Sequence, residues 1–169
     1  MSQIWSFGMD APFEFETNGL YILVFDRGGK SFTFHWSLYL HQTEISGYTY
    51  QLLNGGDSPF TWHFDSGPRE NVNFSDDLLV ALQIGVLDPI LHPAVHDRLS
   101  QIPITYSTRF DDRITCRVWL KEALFVLDDE GYIKLIVPVN GIEAEATSYA
   151  IRNKGSGLKG ATRSAGTVA

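Results

Sequence analysis

The chain has 169 residues, 44% hydrophobic and 13% aromatic, enough for one full core and too few for two ordinary domains. Its formal net charge of −7 argues against a general nucleic-acid binder, which needs clustered Lys and Arg. One cysteine can form no internal disulfide, no apolar run is long enough to span a bilayer, and Met1–Trp5 lacks the basic-then-apolar pattern of a signal peptide. A cytoplasmic location is the default expectation.

The first half reads as antiparallel strands. Gly19–Phe25 is a short apolar run closed by Asp26-Arg27-Gly28-Gly29-Lys30, a composition suited to a reversing turn. Gly28-Gly29-Lys30-Ser31 is not a phosphate loop: Val24 stands where that motif needs its first glycine, and a strand follows instead of a helix. Over Ser31–His41, Phe32, Phe34, Trp36, Leu38 and Leu40 alternate with Thr33, His35, Ser37, Tyr39 and His41, so the two sets face opposite ways. A second strand is expected over Gly47–Leu53, then a turn at Asn54–Asp57, a short strand over Phe60–Asp65 and a loop over Ser66–Asn73. Leu78–Leu87 suits either a half-buried strand or a buried helix.

Pro93–Gln101 is expected to be a short helix with proline in its first turn. Ile114–Asp129 is the strongest helical segment, with Gly131 placed to stop it. Tyr132–Val139 and Ile142–Ile151 are expected to return to strand. Residues 1–152 thus read as one α+β domain, an antiparallel sheet packed on a long helix. Residues 153–169, rich in glycine and carrying only basic charge, read as a flexible tail.

Cys116, Leu120, Ala123, Leu124 and Leu127 share one stripe of the long helix, so Cys116 is expected near its N-terminus on the inward face. Free N–H groups and the helix dipole there favour a thiolate and suit a developing oxyanion. Asp111 and Asp112 precede the helix and oppose the thiolate unless Arg113 and Arg117 offset them. A thiolate nucleophile needs a base, and His35, on the less apolar face of its strand, is the leading candidate. If the strands flanking Gln42–Ser46 pair as a hairpin, an even register puts Thr49, Gln51 and Leu53 on the face of His35. Gln51 can then orient the imidazole; His63 or Asp65 are the alternatives. Ser37, Tyr39, Thr49, Trp62 and Arg117 are candidates to line a pocket. His92 and His96 are four apart, but Pro93 sets His92 ahead of the helix and no Glu follows, so neither a metal nor any other cofactor is expected.

The strand Phe34-His35-Trp36-Ser37-Leu38-Tyr39-Leu40, followed downstream by Cys116 opening a helix, resembles the circularly permuted papain-like thiol hydrolases. These include the NlpC-type peptidases and lecithin:retinol acyltransferase relatives. Cys116-Arg117-Val118-Trp119 together with His35-Trp36 also resembles a set of small fungal proteins of unassigned function. The first resemblance implies His35 as base, Cys116 as nucleophile and Gln51 as orienting residue. It implies a hydrolase or acyltransferase acting on an acyl or amide bond of a small molecule or peptide. Around the cysteine the acyltransferase relatives carry Asn-Cys-Glu-His, where this chain has Thr115-Cys116-Arg117-Val118. The alternative is a non-covalent binding protein, or a cyclase or isomerase of secondary metabolism with His35 as a lone acid–base group. Trp5, Phe7, Phe13, Phe15, Trp36, Trp62 and Phe64 are candidates to line its apolar pocket.

Overall fold

A computed structural model of the chain describes residues 13–55 and 58–168. Gly56 and Asp57 of the expected turn, and the pocket candidates Trp5 and Phe7, lie outside these described residues.

Strands β1 (Gly19–Asp26), β2 (Phe34–His41) and β3 (Ser46–Gly55) follow the expected segments closely. Alternating aliphatic and aromatic side chains leave one face of each strand to bury on either side of the sheet. Strand β4 (Ser58–Glu70) is far longer than expected and absorbs most of the segment read as a loop. Its polar composition suggested that loop, and it also holds Gly67 and Pro68. They are tolerated because β4 is the sheet edge, where proline's missing N–H need not serve a ladder. The ambiguous segment is strand β5 (Leu78–Val86), and β6 (Gly160–Arg163) completes one sheet in the order β4-β3-β2-β1-β5-β6. Since β6 runs parallel to β5, the sheet is mixed, not wholly antiparallel.

Among the described residues three α-helices accompany it: α1 (His92–Ser100), α2 (Cys116–Asp129) and α3 (Val139–Ser156). The strands expected over Tyr132–Val139 and Ile142–Ile151 are not formed. Tyr132–Pro138 holds only an isolated bridge between Leu135 and Thr167, and the rest is helix α3. Ile142, Ala146 and Ala150 are fully buried at four-residue spacing, and that packing overrides the weak helix propensity of β-branched Ile142, Thr147 and Ile151. The segment expected as a flexible tail over 153–169 is likewise ordered over its described residues 153–168. Asn153–Ser156 end α3, Gly157 (φ 66°) takes the left-handed conformation that turns the chain back, and β6 then pairs with β5. Ser164 and Thr167 are buried.

The helices cover one face of the sheet. There Leu20, Ile22, Val24, Leu38, Leu40, Leu52, Leu82 and Ile84 meet Trp119, Leu120, Ala123, Leu124 and Leu127 of α2 and the inward stripe of α3. Burying each of the larger side chains stabilises the fold by roughly 1.5–3 kcal/mol. A smaller cluster of Tyr21, Leu23, Phe25, Tyr39, Leu78 and Ala81 lies on the opposite face under Phe13 and Phe15. No helix among the described residues is long and apolar enough to cross a membrane.

Candidate active site

The site forms where the sheet opens. Strands β2 and β3 pair from His41↔Gly47 to Leu38↔Tyr50, and Phe34–Ser37 have no β3 partner. At this unpaired end the backbone N–H of Trp36 is directed at the Cys116 sulfur. Cys116 opens α2, whose N-cap is Thr115; the Thr115 Oγ1 accepts a hydrogen bond from the Val118 N–H at 3.3 Å.

His35 meets Cys116 from β2. Its Nε2 bonds Gln51 Oε1 at 2.6 Å, which leaves Nδ1 for the thiol. The register explains the Gln51 contact: Tyr39 faces Thr49 and Leu38 faces Tyr50, so Gln51 lies on the His35 face of β3. Gln51 Nε2 in turn donates to Asp65 Oδ2 at 3.0 Å, and Gln51 and Asp65 are directly opposed in the β3–β4 ladder. That second bond fixes the first. A carboxylate only accepts, so the amide must turn its NH2 toward Asp65 and its oxygen toward His35. His35 Nε2 therefore carries a proton. Asp65 supports Gln51 from behind and does not replace it. His63 sits opposite Leu53 and is exposed, with no part in the chain of bonds.

Burial works against charge on both partners, yet the net shift of each favours its charged form. Burial pushes the Cys116 thiol up, but the His35 imidazole, the Trp36 N–H and the Arg27 guanidinium together hold it below the ordinary thiol value. Burial pushes His35 down, but Cys116 and Gln51 raise it above its ordinary value. Both shifts run in the direction of a thiolate and an imidazolium.

Arg27 is the residue that sequence reasoning missed. Its Nη2 lies 3.5 Å from Cys116 Sγ, while its Nε donates to the Phe34 carbonyl at 3.0 Å. The β1–β2 turn that carries it is held by Gly28 (φ 91°) and Gly29 (φ 73°), and by Asp26, which accepts from the Gly28 N–H and from Lys154 of α3. The only advance signal was its place in the turn leading into the His35 strand.

A cavity of about 390 Å³ opens beside the dyad, lined by Phe25, Asp26, Arg27, His35, Arg69 and Asp77. None of the expected pocket residues lines it. Ser37 is buried with its Oγ unpartnered, Tyr39 bonds His41, and Thr49 donates to the Gly67 carbonyl. Trp62 packs on the helix-side core, and Arg117 pairs with Asp112 and Glu143. The aromatic candidates are likewise occupied: Phe13 and Phe15 stack over the small cluster, and Trp36 and Phe64 join the main core. His92 opens α1 and bonds the Leu87 carbonyl, and His96 lies edge-on to Tyr48 and Tyr50. Among the described residues no group of three or more His, Cys, Asp or Glu side chains is placed to hold a metal.

No protein-family model, no curated protein and no solved structure matches this chain.

Proposed function

We propose that the chain is a papain-like thiol hydrolase or acyltransferase acting on an acyl or amide bond of a small molecule or peptide. The observation that carries this reading is the convergence of Cys116, His35 and Gln51, with the thiol held down and the imidazole held up. The Cys116 thiolate attacks the carbonyl carbon, forming the C–S bond and moving the π electrons onto oxygen. The first N–H groups of α2 are the donors available to that oxyanion. The His35 imidazolium protonates the departing amine or alkoxide as its bond to the carbonyl breaks, leaving a thioester and a neutral imidazole. His35 then takes a proton from water or another acceptor, whose attack releases the acyl group and restores the thiolate.

The supporting geometry also favours this reading over a non-covalent binder or isomerase. The cavity beside His35 is walled largely by charged side chains, where the rival reading calls for an apolar pocket. The test is the rate of Cys116 alkylation by iodoacetamide as a function of pH, in the native chain and in His35→Ala. The reading expects reaction well below the free-thiol range of about 8.5 and loss of that reactivity in the variant. A thiol that reacts only in the free range, and equally in both proteins, overturns it.

A further inference from the structure

The cavity beside the dyad carries charges whose partners are unevenly distributed. Among the described residues Arg98, Arg109, Arg117 and Arg163 sit in ion pairs with carboxylates, and Arg113 and Arg152 do not. Arg27 and Arg69, both lining this cavity, have no carboxylate partner among the described residues. Arg27 spends its Nε on a carbonyl and its Nη2 on the Cys116 sulfur. Arg69 donates to Ser75 Oγ at 2.9 Å and lies over the Phe25 ring. Of the two acids in the wall, Asp26 is already taken by Lys154 at 2.7 Å, and Asp77 is in no ion pair among the described residues. In a chain of net charge −7 the concavity next to the nucleophile is thus locally cationic.

We infer that Arg27 and Arg69 form the anchoring subsite of the reaction, and that the acyl group delivered to Cys116 belongs to a molecule bearing a carboxylate a few atoms from the scissile carbonyl. This rests on the thiol-enzyme reading above. Guanidinium forks match a planar carboxylate in two-point contact. The spacing suits the chemistry. Arg27 touches the sulfur, so an anion held on its remaining N–H groups places the neighbouring carbonyl within reach of attack. The same contact has a second consequence. Cys116 is only 3% exposed and Arg27 lies over it, so an incoming carboxylate draws the guanidinium aside as it binds. A neutral reagent has no such hold on it.

The experiment compares alkylation of the full chain by iodoacetate and by iodoacetamide at neutral pH. In both reactions the thiolate forms an S–C bond as the C–I bond breaks and iodide leaves, so the two reagents differ chiefly in charge. The ratio of the two rates is referred to the same ratio for a free cysteine peptide. It is expected to be higher in the protein by about tenfold at low salt and to fall as ionic strength rises, as for charges only partly shielded from solvent. Arg69→Gln is expected to lose most of that preference and Arg69→Lys to keep part of it. Arg98→Ala, which removes an equal charge on α1, is expected to keep all of it. A ratio equal to that of the free peptide, with Cys116 still reactive at neutral pH, overturns this inference and leaves the thiol-enzyme reading standing. A preference undiminished in Arg69→Gln overturns the assigned pair. A thiol inert to both reagents below its free range overturns the reading on which the inference rests.

Discussion

Replacing Gln51 by alanine tests the chain of bonds behind the nucleophile. In the native protein the Nε2–H of His35 donates to Gln51 Oε1 at 2.6 Å, in a half-buried position. Hydrogen bonds to a charged group are each worth about 1.5–3 kcal/mol. The bond is stronger when the ring is imidazolium, so its loss destabilises the thiolate–imidazolium pair relative to neutral thiol and imidazole. The same bond from a neutral ring is worth about 0.5–1.5 kcal/mol, so the difference is about 1–1.5 kcal/mol and the balance moves toward the neutral pair by about fivefold to tenfold. The assay is iodoacetamide alkylation of Cys116 from acid to alkaline pH, with circular dichroism to show that the sheet persists. Gln51→Ala is expected to lower the neutral-pH plateau by a substantial part of that factor. At alkaline pH, where the thiolate forms without help from the ring, the rates converge. Superimposable profiles for the two proteins refute the reasoning, because they would show that Gln51 does not act on the imidazole.

Asp65→Ala leaves the Gln51 side chain in place but frees its amide to turn; the plateau is expected to fall in the same direction by less, at most about fivefold for a bond worth about 1 kcal/mol. In Cys116→Ser the thiolate that raises His35 is gone while the burial that lowers it remains. The His35 pKa, followed by NMR titration, should drop below its native value, and an unchanged titration would sever the proposed coupling. Thr115→Ala removes the cap from the first turn of α2 and should cost about 1 kcal/mol in urea unfolding. Gly47→Ala should cost at least about 2 kcal/mol in the same assay, because its Cβ would lie 2.3 Å from the Leu40 carbonyl oxygen and 2.6 Å from the Tyr39 ring.

The His35 strand was legible because its alternation is unbroken from Phe32 to His41 and a period of two fixes which residues share a face. The same rule carried Gln51 to that face once the short Gln42–Ser46 loop was taken as a hairpin. Sequence pattern failed where structure is non-local. The ladder between β5 and β6 joins Val80 to Gly160, and no local periodicity announces a parallel strand from so distant a segment. Glycines in that stretch suggested looseness, but Gly157 supplies the left-handed turn the chain needs before it re-enters the sheet. The stripe of Ile142, Ala146 and Ala150 was present at helical spacing, yet its small residues made a weak apolar signal. Arg27 was illegible for another reason. Turn composition specifies a reversal of the chain but not where a long side chain on it will reach, and that depends on the placement of α2.

The acids ahead of α2 raise the question of sign at the sulfur. Asp111 and Asp112 stand close before Cys116, and uncompensated they would hold the thiol protonated. The structure disposes of each separately. Asp111 is bonded to the Tyr106 hydroxyl. Asp112 accepts from the Arg113 N–H at 2.8 Å and pairs with Arg117 at 2.9 Å, while Arg117 also reaches Glu143, which Lys121 holds at 3.0 Å. Two carboxylates and two cations thus close a nearly neutral group on the solvent side of the helix start. Pairs as exposed as Arg117 and Asp112, with about a third and a half of their side-chain surface open, contribute little to stability. Their effect is local instead. With that group balanced, Arg27 joins His35 in favouring the thiolate, alongside the free amides of the helix end. Coulomb attraction and helix-end polarity then act in the same direction on Cys116, toward the thiolate.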